Sequence, residues 1–322
     1  MTLLPPPLVW NELPSSKLEG ILTESSFSCL LHPSVKRADG FRKRVNKKMR
    51  INGRAIASKI LKGLKNSISR FSLRPILAII LVGNNPTSIS YIKQKQKAVK
   101  FIGAKIILKK ISQEKLFKTI GELNENPKVH GIVVQLPLPP RFSSRKILTA
   151  VSPEKDIDGF SLNSPFTPPV AKAVLKIFRE IQAQGQTLSL KDRILIIGRG
   201  ITAGKPITKT LKKLGYKISV SHSKTTSIAT LAKKSDVVIS CVGKPNIVTA
   251  EMLKPGAIVI GVGIHQTPDG KFAGDFNEEE IAKVASFYTP TPGGVGPITV
   301  ACLMENFVKA SRDPRLTHNS RN

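Results

Sequence analysis

A series of short apolar runs, separated by stretches of helical spacing, narrows the fold of this chain more than any other feature. In the first half PILAIILVG (residues 75–83), KIILKKI (105–111) and GIVVQLPL (131–138) alternate with helical segments at 51–64, 87–101 and 113–123. After a further helical segment at 171–181 come RILIIG (193–198), KISVSH (217–222), DVVISCVG (236–243) and AIVIGVG (257–263). Strands of this length joined by helices predict parallel βαβ units. Each strand of the second set carries Gly, Ser or His at its carboxyl end, and ligands of open α/β sheets bind beyond those ends. The expected fold is therefore α/β, with two α/β domains flanking a cleft and the second a Rossmann-like domain with a mainly parallel sheet.

The boundaries follow from changes in pattern. Residues 1–48 contain Pro5–Pro7, scattered serines and a basic cluster over 36–50, and read as an extension. Its basic and Ser-rich character fits an organellar transit segment, whereas Glu12, Glu19, Glu24 and Asp39 do not, and a cytoplasmic location is the main expectation. The first domain is placed at 49–167 and completed by a C-terminal helix at 297–311, the second at 168–296, with a tail at 312–322. No apolar run reaches the roughly 18–20 residues of a membrane span. Cys29, Cys241 and Cys302 are far apart and lack metal-site spacing, so neither a disulfide framework nor a metal site is expected.

The net charge of +30 raises a nucleic-acid reading, but the lysines are dispersed over helix surfaces and aromatic residues make up only 5% of the chain. Solvated faces account for such a distribution, with attraction of polyanionic small molecules as a further use. Nucleic acid is not the expected partner.

Several segments carry candidate chemistry. Residues 289–299, TPTPGGVGPIT, combine prolines and glycines into a shaped loop with few side chains, suited either to a turn or to a ligand wall through Pro292, Gly293 and Gly294. The loop GRGITAGKP (198–206) places Gly198, Arg199, Gly200 and Gly204 between a strand and a helix, one residue wider than the usual dinucleotide fingerprint. At the end of the next strand, Ser223 and Lys224 stand where an acid normally holds a ribose hydroxyl, which favours NADP over NAD; a plain polar loop is the alternative. Tyr91 and Lys95 are four apart on a helix and share a face, and Lys95 reads either as a surface lysine or as an acid/base amine. Lys93, Lys97 and Lys100 crowd the same helix, and either their charge or burial would help Lys95 shed its proton. Gln135 interrupts an apolar strand, or ends it. PEKDIDG (153–159) sets Asp156 and Asp158 in a turn, as caps or as ligands.

Taken together and in order, YIKQK, VVQLPL, PEKDIDG, GRGITAGKP, HSKT, KPGAIVIGVG and TPTPGGVGPIT resemble the bifunctional methylenetetrahydrofolate dehydrogenase/cyclohydrolase family over about residues 51–310. The resemblance implies an NADP-dependent enzyme that oxidises 5,10-methylene-tetrahydrofolate to the methenyl form and hydrolyses it to 10-formyl-tetrahydrofolate in one cleft, without a metal, as a homodimer. It implies that Tyr91 stacks on the substrate's aminobenzoate ring, Lys95 is the catalytic lysine, Gln135 contacts that lysine and Asp158 binds the pterin. Leu136, Pro137, Pro292, Gly293 and Gly294 are implied to line the substrate site, and Val242, Gly243 and Ile264 to join the cofactor loops. The chain departs from the family after Asp158-Gly159, where a shortened segment runs through Asn163 into Pro165-Phe166-Thr167-Pro168, and in the phosphate loop, where Gly200 and Ala203 replace a serine and a valine. A chain with only one of the two activities, and a basic nucleic-acid-binding protein on an inactive enzyme fold, are the rival expectations.

Overall fold

The computed structural model describes residues 49–139, 144–161 and 163–313. The 1–48 extension and most of the 312–322 tail lie outside the described residues. The first half contains β1 (Met49–Arg50), α1 (Gly53–Arg70), β2 (Ile76–Val82), α2 (Pro86–Phe101), β3 (Lys105–Ile111), α3 (Leu116–Glu125), β4 (Gly131–Val134) and α4 (Ser144–Leu148). The second contains α5 (Pro169–Ala183), β5 (Arg193–Ile197), α6 (Gly204–Lys213), β6 (Lys217–Ser221), α7 (Ile228–Lys233), β7 (Val237–Ser240) and β8 (Ile258–Gly261). A hairpin β9 (His265–Gln266) and β10 (Phe272–Ala273), then α8 (Glu278–Val284), β11 (Phe287–Tyr288) and α9 (Val295–Ala310), complete it.

Two parallel sheets result. The first has the order β3-β2-β4, and the second β1-β11-β8-β7-β5-β6. Central strands covered on both faces must be apolar throughout, and β2 shows the consequence. Its Leu77, Ile79 and Leu81 enter one core with α9, while Ala78, Ile80 and Val82 enter another with α3. Strand β5 divides in the same way, Ile194 and Ile196 to one side and Leu195 and Ile197 to the other. Strand β3 lies at a sheet edge and exposes Lys109 and Lys110, charges that discourage further strand pairing.

Residues 49 and 50 correct the expected domain assignment. Met49 pairs with Phe287 and Arg50 with Tyr288, so β1 forms the edge of the second sheet rather than part of the first domain. Helix α9 begins at Val295, inside the glycine-rich loop, and serves both domains. Val295, Ile298 and Cys302 pack in the core of the second sheet, whereas Val300, Leu303, Met304, Phe307 and Val308 pack in the core of the first. Among the described residues, no helix is long and apolar enough to cross a membrane.

Candidate active site

Helix α2 carries the first half of the site. Asn85 caps it by accepting from Ser88 N at 3.1 Å, and Pro86 occupies its first turn, where a missing N–H costs nothing. Ser88 Oγ donates to Leu136 O at 3.2 Å and ties the helix start to the chain leaving β4. Strand β4 ends at Val134, so Gln135 lies just beyond it, buried at 7% exposure. Its Nε2 donates to Leu136 O at 2.7 Å, and that bond turns Oε1 toward α2, where it accepts from Lys95 Nζ at 3.0 Å. Pro137 follows through a cis peptide bond.

Lys95 and Asp158 are partly exposed yet closely ringed by protein. Burial lowers the pKa of Lys95 and the nearby Asp158 charge raises it in part; burial raises that of Asp158 and Lys95 lowers it in part. Lys93, Lys97 and Lys100 are exposed, so desolvation and not their crowding makes Lys95 the easier lysine to deprotonate. One turn before it, Tyr91 is half-buried, and burial raises its pKa.

The turn bearing Asp158 is fastened from several directions. Asp156 is 3% exposed, accepts from Ser161 N at 2.7 Å and is pushed up to about 6, chiefly by burial. It therefore builds the turn, and Asp158 is the carboxylate beside Lys95. Gly159 has φ +68°, and a Cβ there would lie 2.6 Å from Phe166 O, so this position requires glycine. Lys155 Nζ donates to Leu123 O, Asn124 O and Asn126 O at 3.1, 2.5 and 2.8 Å, closing the carboxyl end of α3. The shortened segment is bound by Ser164 Oγ, which donates to Asp156 O at 2.9 Å, and by Asn306 on α9. Asn306 Nδ2 donates to Ile157 O at 2.8 Å and to Thr167 O at 2.9 Å.

The proline- and glycine-rich loop forms a wall of a cavity of about 280 Å³. Pro292, Gly293 and Gly294 line it with Tyr91 and Arg54 from one side and Ile264 from the other. Pro292 follows a cis peptide bond, and Gly293 has φ +111°. Nothing in the sequence distinguishes Arg54 from the other lysines and arginines of the amphipathic helices; only the fold brings it to the cavity. Lys95, Gln135 and Asp158 do not line this cavity; Tyr91, one helical turn before Lys95, does.

The expected cofactor loops gather at the carboxyl edge of the second sheet. Gly198 (φ +100°) follows β5, and its missing Cβ would lie 3.0 Å from Cys241 O. Gly204 starts α6 with its missing Cβ only 2.0 Å from Gly198 O, so both glycines are needed for the turn. Gly200 faces open space, as do the exposed Arg199, Ser223 and Lys224. Exposed Val242 (37%) follows β7, and Gly243 (φ +76°) packs against Ile264, whose O would lie 2.9 Å from a Cβ at 243. An uncapped start of α6, a tight glycine turn and basic residues without an acid at 222–225 fit a dinucleotide carrying an extra phosphate. Among the described residues, no cluster of His, Cys, Asp and Glu could hold a metal ion.

Dinucleotide-type loops on the carboxyl edge of the second sheet, together with a desolvated amine, a carboxamide and a carboxylate at the end of the first, define a two-domain α/β enzyme of the dehydrogenase type. Residues 51–158 match the catalytic domain of the tetrahydrofolate dehydrogenase/cyclohydrolase family and residues 168–315 its NAD(P)-binding domain. The chain belongs to that family. It is 37% identical over 279 residues to the bifunctional protein FolD of Nautilia profundicola, an alignment covering 82% of this chain and 97% of the relative. The crystal structure of the bifunctional FolD from Campylobacter jejuni matches with a TM-score of 0.76 at 35% identity, covering 82% of this chain and 98% of that one. The Trypanosoma brucei dehydrogenase-cyclohydrolase, solved with NADP and an inhibitor, matches with a TM-score of 0.76 at 32% identity, covering 82% and 97%.

Proposed function

We propose that Lys95 is the acid/base group of a single folate site, held by Gln135, with Asp158 on the pterin and Tyr91 on the aminobenzoate ring. The enzyme oxidises 5,10-methylene-tetrahydrofolate to the methenyl form with NADP and hydrolyses the product to 10-formyl-tetrahydrofolate. The observation that carries the assignment is the 3.0 Å bond from Lys95 Nζ to Gln135 Oε1, in a desolvated setting that eases loss of the lysine proton.

When bound, NADP supplies the hydride acceptor. Gly198, Arg199, Gly200, Gly204, Ser223, Lys224, Val242, Gly243 and Ile264 would hold it, with Arg199 and Lys224 meeting its phosphates. Leu136 and Pro137 beside Gln135, and Pro292, Gly293 and Gly294 across the cavity, would confine the substrate. Arg54 places positive charge in that cavity for the substrate's glutamate carboxylates. Holding the substrate in one orientation does much of the work of the oxidative step.

In the hydrolytic step a water oxygen bonds to the methenyl carbon. The neutral Lys95 amine takes one water proton; the bond from that carbon to N5 then breaks as the ammonium returns this proton to N5, and the remaining hydroxyl proton leaves to solvent as the formyl C=O forms, one proton being released overall. Gln135 Oε1 accepts from Lys95 in either state and so keeps Nζ in place. Asp158 moderates the loss of the lysine proton, leaving the group able both to take a proton and to give one.

A cytoplasmic homodimer completes the proposal; the bacterial FolD relatives support the setting, and sedimentation of the full chain tests the assembly. Lys95→Met tests the central assignment. Methenyl hydrolysis, followed by absorbance, should fall by about 10²–10⁴-fold while NADP still binds; hydrolysis at the parent rate would remove Lys95 from the mechanism.

A further inference from the structure

Asp275 follows the β9-β10 hairpin, is fully buried, and forms no ion pair among the described residues. A carboxylate in that position is costly unless hydrogen bonds replace its lost hydration. Four do so. Oδ2 accepts from Ser240 Oγ at 2.5 Å and Val242 N at 3.0 Å, while Oδ1 accepts from Gly243 N at 2.6 Å and Lys244 N at 3.0 Å. Three successive backbone N–H groups thus converge on one anion, the concave arrangement by which a turn binds a negative charge. Here the anion belongs to the chain itself. Gly263 leaves it room, since a Cβ there would lie 2.3 Å from Oδ2 and 2.3 Å from Gly243 N.

The turn held in this way has two functional neighbours. On one side Cys241 O contacts Gly198 of the glycine loop, and on the other Gly243 packs on Ile264, which lines the cavity shared with Tyr91. The exposed Val242 lies between them. Lys95, Gln135 and Asp158 make no hydrogen bond to the turn.

We infer that Asp275 is a positioning residue for the cofactor: its carboxylate sets the 242–244 turn against both the glycine loop and the cavity, so that it governs the NADP-dependent step and not the hydrolytic one. The inference rests on the reading of the second domain as the NADP site.

The test compares the full-length parent with Asp275→Asn and Ser240→Ala. Asparagine keeps the shape but loses the charge and one acceptor, and alanine removes one donor of four. For Asp275→Asn, the KM for NADP in the oxidative reaction should rise roughly tenfold or more, with methenyl hydrolysis, assayed without NADP, within about twofold of the parent. Ser240→Ala should shift the same KM in the same direction by less. An unchanged NADP KM in both variants would overturn the inference, as would equal losses of both activities in Ser240→Ala, which would mark a merely structural role. Should Asp275→Asn fail to fold, Ser240→Ala decides alone. A parent that hydrolyses methenyl-tetrahydrofolate but binds no NADP in a fluorescence titration would instead overturn the cofactor reading itself, and the inference with it.

Discussion

Gly53, the first residue of α1, sits against Gly294 so closely that a Cβ at position 53 would lie 1.9 Å from Gly294 O and 2.7 Å from Gly293 O. Backbone meets backbone there, at the wall of the cavity lined by Pro292, Gly293 and Gly294. Gly53→Ala must therefore push the wall or the helix aside, an overpacking change that costs about 1–3 kcal/mol. The expected outcome is a lower melting temperature together with a raised folate KM. An alanine variant with parental folate KM would show that the wall does not shape the substrate site.

Lys95 and Asp158 oppose each other's response to burial, and the sign of the pH effect follows. The Asp158 charge favours the ammonium, so its removal in Asp158→Asn lets Lys95 lose its proton at still lower pH. The rising limb of the hydrolysis rate, where the amine becomes free to accept a proton, should shift toward acid in the variant, whatever happens to the rate itself. A pH–rate profile measured from pH 5 to 10 checks this, and a limb shifted toward alkali would refute the coupling.

Asp156 makes a separate prediction for stability. Its pKa is raised from 3.8 to about 6, so the folded state holds the proton more tightly than the unfolded chain. The contribution is fully present below the unfolded value and is lost as pH rises through about 6. At about 1.36 kcal/mol per unit this amounts to roughly 3 kcal/mol. Asp156→Asn keeps an oxygen to accept from Ser161 N and removes the ionisation. Denaturant unfolding between pH 4 and 7 should then show a flatter pH dependence than the parent; parallel curves would disprove the claim.

Asn306 links α9 to the turn before Asp158 and, through Lys172 Nζ at 3.0 Å from Oδ1, to α5. Asn306→Ala leaves the carbonyls of Ile157 and Thr167 without this donor. A loss of about 1–3 kcal/mol is expected for such buried groups, accompanied by weaker folate binding because Ile157 adjoins Asp158. Calorimetry and folate KM measure the two effects. Full stability with a parental KM would contradict the role given to this side chain.

The parts legible in the sequence are those with local patterns. Continuous apolar runs expose β2 and β5, and helical spacing places Tyr91 and Lys95 on one face. Gln135 is conspicuous because a polar residue ends an apolar run. What escapes is long-range. β1 and β11 are two residues each, too short for periodicity, and exist only because their backbones pair with neighbours far along the chain. Lys155 stands in the carboxylate turn but acts as the cap of α3, about thirty residues earlier, through bonds spanning 29–32 positions. Asp275 reaches its four donors across 31–35 positions and belongs to no motif. Gly53 matters only because Gly294 comes to rest on it.

The double duty of α9 has a consequence for biosynthesis. Phe307 and Met304 join the core under β2, yet they follow every strand among the described residues, so a ribosome delivers them after all the strands they cover. Until then that face of the first sheet has α1 and α2, through Ile68, Ile92 and Val99, but lacks its α9 cover, and apolar surface left open in a nascent polypeptide promotes aggregation. Both halves therefore complete their cores with the same late segment, and a stall before residue 295 would leave each of them short of its last apolar cover.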